Sequence, residues 1–251
     1  MDRGLYTAAS GGLARTRELD IVSNNLANVN TVGFKAQRII THQQSFSDTL
    51  ASTLSDNDPS AQGDFDRTPG VVTAGTVTDF SQGPIRNTEN PLDVALTQPN
   101  TFFVVNTPEG ETYTRAGNFT LDAERNLVTA DGMAVSGGGG QITLPPGKVT
   151  IRDNGAITVE GEQVAALRVV RIDDLKSLER TDGARFKLAG GGQAEGIDNP
   201  RVIPGAVEMP NFNVVEAMVQ MIDTQRAFES YQKSVRTIDE LNEESLRVAR
   251  R

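Results

Sequence analysis

The chain has 251 residues, of which 33 are acidic and 24 basic, for a formal charge of −9; it has one histidine and no cysteine. The charge disfavours nucleic acid or an anionic membrane surface as a partner, and the missing cysteine excludes thiolate chemistry, disulfides and cysteine-held zinc or iron–sulfur centres. Aromatic residues make up 5% with no Trp, lean for a compact enzyme, while 37% hydrophobic residues is too many for full disorder.

The opening Met1-Asp2-Arg3-Gly4-Leu5-Tyr6 lacks a basic stretch followed by an apolar one, and no window approaches a membrane-spanning run. Export without an ordinary cleaved signal peptide is therefore the expectation if the protein leaves the cytoplasm. Residues 2–28 read as a helix that Asp2 can cap, with Leu5, Ala8, Gly12, Leu19, Val22, Leu26 and Val29 on one narrow stripe that Arg15 interrupts. The small residues Ala8 to Gly12 weaken helicity but let another backbone approach closely. Asparagines 24, 25, 28 and 30 compete for backbone hydrogen bonds and should end the helix, and Gly33 permits a turn.

The pattern from Phe34 to Leu54 is indistinct, and residues 55–70 are polar and turn-rich. The predicted organisation is a first helix with its turn over 1–35, an extended segment and polar linker over 36–70, a central β domain over 71–210 and a last helix over 211–251. In the β domain, Thr101-Phe102-Phe103-Val104-Val105 and Glu111-Thr112-Tyr113-Thr114-Arg115 flank a Pro108-Glu109-Gly110 turn, and Asn154-Gly155 joins a second hairpin. A barrel-like or irregular sandwich is expected, so the fold class is α+β with long terminal helices around an all-β centre.

From Asn213 the helical period returns through Val214, Met218, Met221, Phe228, Tyr231, Val235 and Ile238, and Asn213 with Glu216 makes a capping box. A helix of about 35 residues spans about 52 Å and cannot bury its stripe on a compact β domain alone. Its stripe either pairs with the first helix of the same chain or packs with many copies around a common axis.

Catalytic chemistry has little to stand on. His42 has no second histidine near it, Gly137 to Gly140 are not followed by Lys-Ser or Lys-Thr at phosphate-loop spacing, and Asp153-Asn154-Gly155 lacks the alternating ligands of a calcium loop. The acidic pair Asp173-Asp174 reads as a solvated surface. The reading is therefore no catalytic residue, no metal, no cofactor and no small-molecule substrate. A carboxylate-based glycosidase, which leaves no linear signature, is the enzymatic alternative.

The run Ser23-Asn24-Asn25-Leu26-Ala27-Asn28-Val29-Asn30-Thr31-Val32-Gly33-Phe34-Lys35 closely resembles the N-terminal signature of the bacterial flagellar rod and hook family. The resemblance continues through Asp79 to Ile85, Asn90 to Leu96, Phe102 to Val105 and Tyr113 to Gly117, and resumes at Val214 to Ile222 and Thr224 to Glu229, with residues 141–205 least diagnostic. The opening Met1 to Gly11 and the length resemble proximal-rod subunits, whereas Thr224 to Glu229 is similar to distal-rod subunits as well. Where the family has a Ser-Asn-Val-Asn turn before the last helix, this chain has Met209-Pro210-Asn211-Phe212-Asn213.

The resemblance implies a structural subunit of the periplasm-spanning basal-body rod, delivered by the flagellar type III export apparatus. It implies terminal helices that pack with other copies and other rod subunits as an inner layer, transmitting torque without turnover. Leu5, Ala8, Leu19, Val22, Leu26 and Val29 against Met218, Met221, Phe228, Tyr231, Val235 and Ile238 are the expected assembly interface. Asn24, Asn25, Asn28, Gly33, Phe34 and Lys35 carry the family signature and are expected to shape the turn out of the first helix.

Overall fold

The computed structural model describes residues 3–45, 69–189 and 192–249. The Asp2 cap, most of the polar linker and the Arg250 and Arg251 tail lie outside the described residues. The chain has an α+β fold with two compact units, one of Met1–Ala27, Gln37–Thr78 and Asn213–Arg251, the other of Asn28–Ala36 and Asp79–Phe212.

The first unit holds helix α1 (Arg3–Ala27), strands β1 (Gln37–Ser45) and β2 (Pro69–Thr78), and helix α2 (Val214–Ala249). The two strands pair antiparallel from Gln37↔Thr78 to Ser45↔Pro69, with a bulge between Ile40 and Thr41. A ribbon thus stands where an extended segment and linker with a boundary near residue 70 were expected, and it belongs with the helices. Its period-2 signal is faint for a physical reason. Polar side chains such as Arg38, Thr41 and His42 alternate with few apolar ones because a ribbon has no second sheet to bury against.

Helix α2 has 36 residues, about 54 Å at 1.5 Å per residue. Asn213 Oδ1 accepts the Val215 N–H at 2.9 Å, so the cap lands one residue earlier than the capping-box position at Glu216. Glu216 in the first turn and Arg247 in the last oppose the helix dipole. No helix among the described residues is long and apolar enough to cross a membrane.

The second unit is strand-rich, and its strand pairings are antiparallel. Strand Thr101–Thr107 lies inside a ten-stranded sheet and is buried on both faces, which explains its unbroken apolar run Phe102 to Val105. Phe103 and Val105 face one way, Phe103 into a core with Val94, Leu127, Ile142 and Leu144. Phe102 and Val104 face the other way, toward Tyr113, Val170 and Phe186. A three-stranded sheet of Val149–Ile151, Ala156–Val159 and Glu162–Ala166 supplies Ile151 and Ile157 to the first core. The seven-stranded path through this sheet runs from Leu178–Asp182 to Thr120–Leu121 with three further strands branching from it, and its ends do not pair, so an irregular sandwich describes it better than a closed barrel. Both predicted hairpins are present, with Thr101–Thr107 against Gly110–Thr114 and Val149–Ile151 against Ala156–Val159.

Candidate assembly faces and the signature turn

Helices α1 and α2 lie antiparallel, because Gly11 meets Tyr231 at one end of the contact and Glu18 meets Gln220 at the other. A Cβ at Gly11 would sit 2.6 Å from the Tyr231 ring, so a glycine there is what admits the aromatic. The inward face of α2 steps by three and four through Val214, Ala217, Met221, Thr224, Phe228, Tyr231, Val235 and Ile238, all buried or half-buried. Of the residues expected on it, Met221, Phe228, Tyr231, Val235 and Ile238 lie there, but Met218 is exposed on another face. Ala217 and Thr224 were missed because one is small and the other polar. The Thr224 hydroxyl donates back to Gln220 O at 2.7 Å, which makes its burial cheap.

Helix α1 carries two working faces where one stripe was predicted. Ala8 and Val22 are buried and Leu5, Leu19 and Leu26 half-buried, whereas Arg15 is tied to Glu18 at 2.5 Å beside the stripe. A second face meets the ribbon. Gly70 packs on Tyr6, and Ser10 Oγ accepts the Val71 N–H at 3.3 Å. Asn25 is buried and exchanges two hydrogen bonds with the Gln37 backbone, donating through Nδ2 at 2.9 Å and accepting at Oδ1 at 3.0 Å. Val29 leaves the stripe altogether: α1 ends at Ala27 and Val29 lies half-buried in the second unit.

The signature residues divide between the two units. Asn24 is an exposed residue of the last helical turn. Asn28 begins the second unit, its backbone oxygen taking the Thr31 N–H at 3.0 Å and its side chain the Thr31 hydroxyl at 3.1 Å. Gly33 holds φ at +69°, and a Cβ there would overlap the backbone of Arg115 and Ala116; its N–H donates to Glu208 O at 2.7 Å. Phe34 is buried edge-on to Phe212 with centroids 6.3 Å apart, and the Arg180 guanidinium lies 4.3 Å above its ring.

Lys35 goes further than a turn residue would. Its ammonium is fully buried and donates to Glu208 Oε1 at 2.6 Å and to Ser81 O at 2.5 Å. Gly83 N–H reaches the same Oε1 at 2.9 Å, while Arg115 Nε faces Oε2 at 3.6 Å. Two buried cations thus share one buried carboxylate. Burial holds the Lys35 ammonium below its usual range, with Glu208 pulling the other way, and lowers Arg115 for the same reason. Burial also pushes Arg180, which donates to Lys35 O, down to about 10. Asn211 closes the group by accepting the Ala36 N–H at 2.8 Å and donating to Asp79 O at 2.8 Å. Three segments quoted separately for their resemblance, around Lys35, Ser81 and Arg115, therefore converge on Glu208. Sequence periodicity carries no trace of this, since none of the four lies on a repeating stripe.

This geometry can hold chain crossings in place, and it offers no proton-transfer pair open to a substrate. His42 is exposed on β1, and among the described residues no group of three or more His, Cys, Asp or Glu converges as a metal site.

The comparisons agree with the distribution of motifs. Residues 5–35 match the family described as flagella basal body rod protein, 98–159 the flagellar hook protein FlgE/F/G D1 domain, and 203–248 the flagellar basal body rod FlgEFG protein C-terminal family. The chain is 33% identical to the flagellar basal-body rod protein FlgF of Caulobacter vibrioides over 245 residues, 96% of each chain. The chain belongs to the flagellar basal-body rod protein family. It is also 32% identical to FlgF of Salmonella typhimurium, over 96% of this chain and 95% of that one, and 31% identical to FlgG of Bacillus subtilis over 100% of both. Family likeness in 98–159 reaches into a stretch, 141–159, that no quoted motif covered.

Proposed function

We propose that the chain is a proximal-rod subunit of the bacterial flagellar basal body. Its terminal helices pack with those of other copies and other rod subunits as a coiled-coil-like layer, and the assembly transmits torque across the periplasm. It turns nothing over and takes no cofactor. It reaches its place through the flagellar export apparatus without a cleaved signal peptide. The observation that carries the reading is the end-to-end likeness to FlgF proteins, which spans both helices and the β unit alike. The helices support it physically: α2 is too long to be covered by α1, so apolar residues remain exposed until another chain arrives. Of the expected interface residues, Leu5, Ala8, Leu19, Val22 and Leu26 with Met221, Phe228, Tyr231, Val235 and Ile238 line the helix faces already buried or half-buried in one chain, and Met218 is exposed for a neighbouring one.

The full-length likeness to FlgG keeps a distal-rod subunit as the second reading. Complementation separates the two. The gene should restore swimming to a strain lacking the proximal-rod subunit and fail in one lacking the distal-rod subunit; the opposite result overturns the proximal assignment.

A further inference from the structure

The base of the β unit is held differently from its interior. Among the described residues, neither apolar core draws a side chain from 28–36 or from 206–212. Lys35 and Glu208 stand 173 positions apart in sequence, and the segments around them dock on each other chiefly through polar contacts. Gly33 N–H donates to Glu208 O at 2.7 Å, Ala36 N–H to Asn211 Oδ1 at 2.8 Å and Lys35 Nζ to Glu208 Oε1 at 2.6 Å. The edge-on contact of Phe34 with Phe212 is the aromatic exception.

The third charge comes from the core side. Arg115 follows the hairpin strand Gly110–Thr114, its Nη1 donates to Thr101 Oγ1 at 3.4 Å, and its guanidinium lies 5.7 Å from the Phe102 ring centroid. Core residues thus place Arg115, and pairing with Ile85 places Glu208. Lys35 has neither support. Without Glu208 it would bring a second buried cation to Arg115 with no buried carboxylate between them, which a low-dielectric site penalises heavily. Glu208 without Lys35 still meets Arg115 and the Gly83 N–H, a neutral arrangement. An apolar trio would tolerate any two of its members, whereas these charges accept Lys35 only in the complete set.

We infer that residues 28–36 and 206–212 form a latch: the N-terminal segment seats on the β unit only when the strand Ala206–Glu208 is in place, and the latch opens as one piece while both apolar cores stay closed. The dependence is reciprocal, because a coupling free energy acts equally on both partners. The chain enters the latch from α1 at Asn28, leaves it for the ribbon after Ala36 and leaves it for α2 after Phe212. Where the ribbon returns, Asp79 N–H donates to Ala36 O at 2.9 Å. One contact that opens and closes therefore gathers the connectors of both helices and the ribbon. This inference goes beyond the rod reading and does not depend on it.

Amide hydrogen exchange on the purified full chain, resolved residue by residue by NMR, tests the latch. The Gly33, Ala36 and Gly83 amides all donate to acceptors on Glu208 or Asn211, so in the wild type they should be protected and share one opening rate. Glu208→Gln keeps the shape and removes the charge. It should speed all three amides at least about a hundredfold and leave those of Thr101–Thr107 unchanged. Adding Lys35→Met to Glu208→Gln removes an unpaired cation and should recover at least about tenfold of the lost protection, where two independent packing losses would add. The latch is overturned by no acceleration in Glu208→Gln, by equal acceleration in Thr101–Thr107, by three unrelated rates in the wild type, or by a double variant that exchanges faster than Glu208→Gln. All of these are read on the free subunit, so they are independent of the complementation that decides the rod reading.

Discussion

The two units of this protein solve the burial problem differently. The β unit is closed on itself: strand Thr101–Thr107 has cores on both faces, and even its charged residues Lys35, Arg115 and Glu208 are paired inside. The helical unit is open: among its described residues, α1, α2 and a two-stranded ribbon leave Leu13, Val215, Val219 and Ile222 exposed. A region that hides its apolar surface has little left to offer a partner, and one that displays it has more.

The sharpest way to break that comparison is to charge the helical face. Leu26→Asp and Phe228→Asp should each abolish motility while the β unit keeps its fold, because an unpaired charge buried at every repeated contact costs several kcal/mol. Swimming halos and basal-body preparations read the first part, and circular dichroism of the purified variant reads the second. Within the β unit, Glu208→Ala leaves Lys35 and Arg115 facing each other without a counter-ion and should destabilise it by about 3–5 kcal/mol in urea unfolding. Gly33→Ala should cost about 1–3 kcal/mol, since it combines a left-handed φ with overlap on the Arg115–Ala116 backbone.

Hydrogen exchange on the free subunit sharpens where one unit gives way to the other. Amides of α1 and α2 should exchange quickly and those of Thr101–Thr107 slowly, and residues 31–36 should follow the β unit despite belonging to the N-terminal signature. Slow exchange along both helices in the monomer would show the helical unit to be self-sufficient.

The smallest effect is on pH dependence. The folded state holds the Lys35 proton less tightly than the unfolded chain does, so between its lowered value and the ordinary 10.5 the unfolded chain binds more protons. Lys35 therefore adds stability as the pH rises through that window and withdraws it as the pH falls. Lys35→Met should flatten the alkaline limb of a stability profile measured by urea unfolding from pH 8 upward.

Much of this was legible from local order. The helices at both ends, the strand-rich centre and two of its hairpins follow from periods of 3.6 and 2 and from turn residues, which depend on neighbours a few positions away. The signature Asn24 to Lys35 pointed to the family by itself. The ribbon was not legible, because Gln37–Ser45 finds its partner across the intervening chain and carries too few apolar residues to announce a strand. Nor was Met218's exposure, since an apolar residue one step off a stripe differs from one on it only once the partner helix is placed.

The sequence alone determined that this chain has two helical ends, a β centre and a place in the flagellar rod family, because those properties are written in short-range spacing and in contiguous motifs. Tertiary structure decided that Lys35, a turn residue by position, is a buried cation sharing Glu208 with Arg115, and that α2 overruns α1 and leaves Leu241 and Val248 exposed. Those facts depend on which distant segments meet, and burial and charge pairing are properties of the meeting, not of the residues taken in order.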